Sequence, residues 1–156
     1  MLNIAIPGFK DLQLKYLILD YNGTMAFRGE LLAGVREKLE ALAQDLEIHI
    51  LTADTFGTVK DQVAQLPARL SVIAPGDQAR AKLDYVARLG CEQAVTMGNG
   101  RNDRLMLQAA ALGIAVLEAE GGAKEALLAA DVVAPDILAA LDLLLVPASL
   151  KATLRS

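Results

Sequence analysis

The stretch Leu17-Ile18-Leu19-Asp20-Tyr21-Asn22-Gly23-Thr24-Met25-Ala26 decides the reading of the fold. Three consecutive aliphatic residues read as a strand buried on both faces, as strands inside a parallel sheet are. The run stops at Asp20, and Asn22-Gly23 then turns the chain. A carboxylate thus stands at the carboxyl end of a buried strand, where open α/β sheets bind their ligands. An isolated Asp in that place also serves simply to start an Asx-turn.

Two other apolar runs end in a comparable way. Ile48-His49-Ile50-Leu51 leads into Thr52-Ala53-Asp54, and Ala94-Val95-Thr96-Met97 leads into Gly98-Asn99-Gly100-Arg101-Asn102-Asp103. Between them, Lys82 lies in an amphipathic stretch marked by Leu83, Val86 and Leu89. Each residue has an ordinary reading of its own. Thr52 suits a helix N-cap, Lys82 a solvated helix face, and Asp103 the positive end of a helix.

In combination these stretches resemble the haloacid dehalogenase (HAD) superfamily of phosphohydrolases. D-Y-N-G-T, T-A-D and G-N-G-R-N-D are most similar to the D-K-T-G-T, T-G-D and G-D-G-x-N-D motifs of the phosphorylation domain of P-type ATPases. The resemblance runs over roughly residues 15–146. It implies a single HAD-like domain over 1–156, a three-layer αβα sandwich with a Rossmann-like parallel sheet. The implied activity is that of a magnesium-dependent phosphohydrolase or phosphotransferase, working through an aspartyl-phosphate at Asp20.

The chemistry explains why such residues are needed. A phosphoryl group concentrates negative charge, so its transfer needs a nucleophile, a cation and positioned donors. By resemblance, Asp20 is the nucleophile, with Asn22, Thr52 and Lys82 completing the catalytic set. Thr24, Thr52, Ala53 and Lys82 would hold the phosphate. Mg2+ would take Asp20, the backbone carbonyl of Asn22, Asn99 and Asp103, in keeping with its preference for octahedral oxygen ligands and few carboxylates. Asp54 is a weaker candidate beside them.

Two positions depart from the pattern. HAD phosphatases generally carry a second Asp two residues after the nucleophile, as general acid and base; here Asn22 stands there. Asn99 replaces a metal carboxylate, keeping the oxygen and losing the charge, so weaker metal binding and slow turnover are expected. These departures leave a second reading open: a catalytically degraded HAD domain serving as a binding or regulatory module. A dinucleotide site is a third reading, since Gly98-Asn99-Gly100 and Glu118 imitate a Rossmann fingerprint. Asp103 stands against it, placing a carboxylate at the third glycine position.

Composition narrows the remaining classes. The chain has 156 residues, formal net charge −4 and a pI of about 5.0. No basic stripe is present, so nucleic acid is not an expected partner. Hydrophobic residues make up 54% but aromatics only 4%, so the core must be aliphatic, and the excess points towards a homo-oligomer. No apolar run reaches the ~18 residues of a membrane span, so neither a pump nor a membrane partner is expected. The N-terminus lacks signal-peptide regions, and the lone Cys91 suits a reducing cytoplasm. His49, between Ile48 and Ile50, reads as a satisfied core histidine rather than a catalyst.

The pattern predicts an N-terminal β-hairpin over 2–6 and 11–14, and strands at 16–20, 47–52, 69–73, 93–97, 113–117 and 131–134. Helices are predicted over 33–45, 56–65, 77–89, 102–111, 123–129 and 137–145. Met25 to Leu32, with Arg28-Gly29 as its turn, reads as a small flap beside Asp20. The tail from Pro147 is expected to be loosely held. Only 27 residues separate Thr24 from Thr52, and 29 separate Thr52 from Lys82. Neither gap leaves room for a cap domain, so an open site is expected, unless a neighbouring subunit covers it.

Overall fold

A computed structural model describes residues 1–53 and 57–156; Asp54 and the start of the helix expected at 56 lie outside them. The chain opens with an antiparallel hairpin, β1 (Leu2–Ala5) and β2 (Asp11–Leu14). Its turn at Pro7-Gly8 places Gly8 at φ 78°, where a side chain would be strained. Ile4, Ile6, Leu12 and Leu14 alternate inward and are buried in the main core.

β3 (Tyr16–Asp20) is buried along its whole length, as its apolar run requires. A second small hairpin follows, β4 (Ala26–Phe27) with β5 (Glu30–Leu31). Arg28 (φ 51°) and Gly29 (φ 84°) form its two-residue turn, the positive-φ pair of a tight hairpin whose twist matches its strands. This is the flap expected beside Asp20. Helix α1 (Val35–Leu42) buries Val35, Leu39 and Leu42, which their spacing puts on one helical face. Next come β6 (Glu47–Thr52), α2 (Thr58–Val63), β7 (Ala68–Val72) and α3 (Gln78–Leu89). The side chain of Asp77 caps α3 by accepting from the Arg80 amide, and Gly90 (φ 119°) ends it.

The last third repeats the alternation. It runs through β8 (Ala94–Gly98), a 3₁₀ turn at Arg101–Asp103, α4 (Arg104–Ala109), β9 (Leu112–Val116), α5 (Lys124–Ala129), β10 (Val132–Ala134) and α6 (Ile137–Leu145). Six of the strands form one parallel sheet in the order β10-β9-β8-β3-β6-β7. Alternate side chains leave this sheet in opposite directions. Leu17, Leu19, Ile48, Ile50, Val95 and Met97 meet the apolar faces of α1, α2 and α6 in the larger core. Ile18 and Leu51 meet Val86 of α3 and Met106 of α4 in the smaller one. The result is the three-layer αβα sandwich with an N-terminal hairpin that the sequence predicts.

The tail corrects the expectation of a loose end. It forms α7 (Pro147–Leu154), with Pro147 in its first turn, where a missing N–H costs nothing. Leu150 is fully buried, and the Ser156 amide donates to the Pro7 carbonyl, tying the two ends of the chain together. No single described helix is long and apolar enough to cross a membrane. α6 and α7 together have a span's composition but meet at 98°, and α6 buries Ile137, Ala140, Leu141 and Leu144 in the core.

Strand order positions the site. From β3 the chain proceeds to β6 and β7 on one side, and later returns to β8 on the other. Between such diverging connections a crevice opens at the carboxyl ends of the strands. Asp20, Thr52 and Gly98 end the three central strands there.

Candidate active site

The centre of the crevice is a buried ionic trio. Lys82, from the inward face of α3, donates from Nζ to Asp20 Oδ1 and to Asp103 Oδ1, both at 2.6 Å. Lys82 is 1% exposed, Asp103 0% and Asp20 8%. A lysine on an amphipathic helix is usually solvated, and this one is not. Two carboxylates with one ammonium leave an excess negative charge out of water, which is costly unless a further cation offsets it.

The remaining oxygens of the two acids are also held. Asp103 Oδ2 accepts from the amides of Gly100 at 2.8 Å and Asn99 at 3.1 Å. Asp103 therefore pins the glycine loop as well as Lys82. A Cβ on Gly98 would lie 2.5 Å from Asp103 Cγ, so only glycine leaves room for that carboxylate. Thr24 is fully buried and donates to Asp20 Oδ2 at 3.1 Å. It also lies 3.3 Å from Asn99 Oδ1, and Asn99 Nδ2 in turn donates to the Gly121 carbonyl at 3.0 Å.

The electrostatics follow from this packing. Burial, then the Asp103 charge, push the Asp20 carboxyl up to about 7, against the opposing pull of Lys82. For Lys82, burial favours the neutral amine, but Asp20 and Asp103 outweigh it and raise its pKa. The lysine is thus held charged, while Asp20 lacks enough positive charge nearby to be fully ionised at neutral pH.

A cleft of about 570 Å³ opens onto this centre, lined by Asp20, Asn22, Thr52, Ala53, Asn99, Gly100, Asn102 and Glu120. The structure thus brings Asp20, Asn22, Thr52, Ala53 and Asn99 of the expected residues to one surface. Thr24, Lys82 and Asp103 lie behind it, bonded to Asp20, Asn99 and one another. Three lining residues, Gly100, Asn102 and Glu120, were not among the expected site residues. Asn102 donates to Gln78 Oε1 at 2.8 Å, linking the glycine loop to the start of α3. Glu120 arrives on the β9–α5 loop, just before Gly121-Gly122, and no sequence motif marks it.

The donor set suits a hard cation such as Mg2+. It is built of carboxylate, amide and carbonyl oxygens, around a centre short of positive charge. Among the described residues, no three His, Cys, Asp or Glu side chains gather into a metal cluster. A bound cation would therefore take neutral oxygens and water alongside one or two carboxylates, as Mg2+ commonly does.

Other candidates fall away from the cleft. His49 is buried between Tyr16 and Tyr85, with Nδ1 2.8 Å from the Tyr85 hydroxyl. The expectation of a satisfied histidine holds on that side only. Nε2 lies 3.2 Å from Glu47 Oε1 but makes no aligned hydrogen bond. Burial first, partly offset by Glu47, lowers the His49 pKa. Burial raises the Cys91 thiol, the opposite of an activated nucleophile. Glu118 accepts from the Ile137 amide at 2.7 Å at the start of α6, so its carboxylate has a structural partner rather than a ribose to bind.

Comparison with known proteins agrees with this architecture. No protein-family model matches the chain. It is 43% identical over 84 residues to Uncharacterized protein MJ0073 of Methanocaldococcus jannaschii, an alignment covering 90% of that protein and 51% of this chain. It is 49% identical over 39 residues to Uncharacterized protein MJ0072 of the same organism, covering 89% of that protein and 25% of this chain. Among solved structures, a Legionella pneumophila protein assigned to the HAD superfamily (subfamily III A hydrolases) has a TM-score of 0.72 at 19% identity. That match covers 90% of this chain and 87% of the other. The 3-deoxy-D-manno-octulosonate 8-phosphate phosphatase of Moraxella catarrhalis, solved with magnesium ion, phosphate ion and KDO, gives 0.70 at 16% identity, covering 85% and 86%. The cobalt-bound deoxy-D-mannose-octulosonate 8-phosphate phosphatase of Haemophilus influenzae gives 0.66 at 16%, covering 85% and 88%.

The fold is therefore that of the HAD superfamily hydrolases. By its 43% identity over 90% of that protein, the chain belongs to the same family as the archaeal protein MJ0073.

Proposed function

We propose that the protein is a magnesium-dependent phosphohydrolase or phosphotransferase with Asp20 as its nucleophile. The buried Asp20–Lys82–Asp103 trio beneath an open cleft carries this reading. Such a trio is costly as a purely structural device and is what a phosphoryl-transfer centre needs. The motif likeness to the phosphorylation domain of P-type ATPases and the phosphatases among the structural neighbours support it further.

Asp20, Asn99 and the Asn22 backbone carbonyl would hold Mg2+, with Asp103 behind them. When bound, the ion offsets the excess carboxylate charge and that of the incoming phosphoryl group. Asp20 attacks phosphorus, forming an acyl-phosphate bond as the bond to the leaving oxygen breaks with its electron pair. That oxygen takes a proton from water, because Asn22 has none to give. Thr52, Ala53 and Lys82 would hold the phosphoryl oxygens through a hydroxyl, a backbone amide and a charge. Thr24 restrains the Asp20 carboxylate, and Asp103 keeps Lys82 charged and in place. In the second half, water attacks phosphorus and Asp20 is released; an acceptor other than water would make the reaction a transfer. With no general base at position 22, this half is the slow one.

The substrate is a phosphorylated molecule that reaches an uncapped cleft. Between Thr24 and Lys82, the described residues hold only the small flap, two helices and two strands before α3 begins. The test is direct: incubate the protein with acetyl phosphate and Mg2+, quench in acid, and locate added phosphate by mass spectrometry. Phosphate on Asp20, absent in Asp20→Asn, is the expected result. If no phosphate is incorporated under saturating donor and metal, the enzymatic reading fails and a degraded binding module replaces it.

A further inference from the structure

The structure assigns a role to Glu120 that its position in the sequence does not suggest: it supplies the carboxylate that position 99 lacks. This inference rests on the cleft being the Mg2+-dependent phosphoryl-transfer site proposed above. Three observations lead to it.

First, Glu120 lines the same cleft as Asp20, Asn22 and Asn99. Second, it converges with Asn99 on one point. A Cβ on Gly23 would lie 2.6 Å from Asn99 Nδ2 and 2.7 Å from Glu120 Oε2. The two side-chain ends thus meet above the loop that follows Asp20, and Gly23, at φ 78°, leaves the space for them. Third, the bond from Asn99 Nδ2 to the Gly121 carbonyl fastens position 99 to the residue following Glu120. An aspartate at 99 could not donate this bond and would set a second negative charge against Glu120.

The amide at 99 and the acid at 120 therefore form a matched exchange. Asn99 gives up charge and gains a donor that holds the neighbouring loop. That loop returns a carboxylate to the same side of the cleft. Glu120 is exposed and has no hydrogen-bond or ion-pair partner among the described residues, which leaves its side chain free to turn. It can hold the cation directly or through one bound water, as carboxylates around Mg2+ commonly do.

Binding of Mn2+ to the full chain, followed by loss of the free-ion paramagnetic resonance signal, tests this without reference to turnover. Glu120→Gln, nearly isosteric and on the surface, should weaken Mn2+ binding about tenfold, the low end for losing a residue that supports a metal. Glu92→Gln, remote from the cleft, should change it by less than about twofold. Asn99→Asp combined with Glu120→Gln returns the acid to position 99 and should bind more tightly than Glu120→Gln alone. Equal affinity in Glu120→Gln and the wild type overturns the inference, and so does an equal loss in Glu92→Gln. If acetyl phosphate still labels Asp20 in those cases, Glu120's role falls while the phosphoryl-transfer reading stands. A wild-type protein that binds no Mn2+ and takes up no phosphate overturns both.

Discussion

Lys82 Nζ lies 2.6 Å from Asp20 Oδ1, closing a contact between residues 62 positions apart in the chain. Both groups are almost wholly removed from water, and the same ammonium holds Asp103 at an equal distance. One cation thus restrains two acids, and the consequences can be measured.

Lys82→Met keeps the length of the side chain and removes its charge. It leaves two carboxylates facing each other in a buried site, and breaking such a pair costs about 3–5 kcal/mol. Urea unfolding at neutral pH in EDTA should show a loss of that order, shrinking at lower pH as Asp20 takes up its proton. A loss below about 1 kcal/mol would place the pair in the range of surface ion pairs and contradict the burial described.

Asp20 gives a pH signature. Its carboxyl is pushed up to about 7 in the folded chain, from 3.8 as an unperturbed group. Between those values the folded state binds more protons than the unfolded one, so stability falls as pH rises and levels off above about 7. In EDTA the melting temperature should therefore decline across that window. Asp20→Asn, which has no proton to lose, should flatten the decline and melt higher at pH 7.5. A parallel decline in both proteins would mean that the slope comes from another group.

Asn22 sets the lifetime of the adduct. Hydrolysis of an aspartyl phosphate gains from a placed base, an effect of about 10²–10⁴-fold. Asn22→Asp should accelerate decay of phosphate on Asp20 by about 10²-fold or more, read by acid quench and mass spectrometry over time. Unchanged decay would show that position 22 does not reach the attacking water.

The C-terminal helix contributes to stability through one side chain in particular. Leu150 is fully buried, and truncating a buried leucine to alanine costs roughly 2–5 kcal/mol. Leu150→Ala should lower the urea midpoint accordingly, while Lys151→Ala, one residue along and exposed, should leave it nearly unchanged. Equal small effects would mean that α7 docks only weakly.

Much of the architecture was legible from local chemistry. The run Leu17-Ile18-Leu19 can only be a strand buried on two sides, and its stop at Asp20 is set by adjacent residues. The stripe of Val35, Leu39 and Leu42 marks α1 and that of Leu83, Val86 and Leu89 marks α3, because periodicity acts within a few residues. The tail escaped this reading. The burial of Leu150 depends on the underside of the fold, and the link from Ser156 to Pro7 joins opposite ends of the chain.

The site divides along the same line. The motif resemblance made Asp20, Asn22, Thr52, Ala53 and Asn99 candidates for one crevice, and each of them ends or follows a strand of one parallel sheet. Only the tertiary structure decided that Lys82 faces inward. Helical spacing puts it on a face, but whether that face meets water depends on where α3 packs. Only the tertiary structure, too, moved Asp103 behind the glycine loop and brought Glu120 over Gly23. Glu120 carries no motif, and its place is set by the path of the β9–α5 loop, which Asn99 ties down through hydrogen bonds with Gly121 and Ala123.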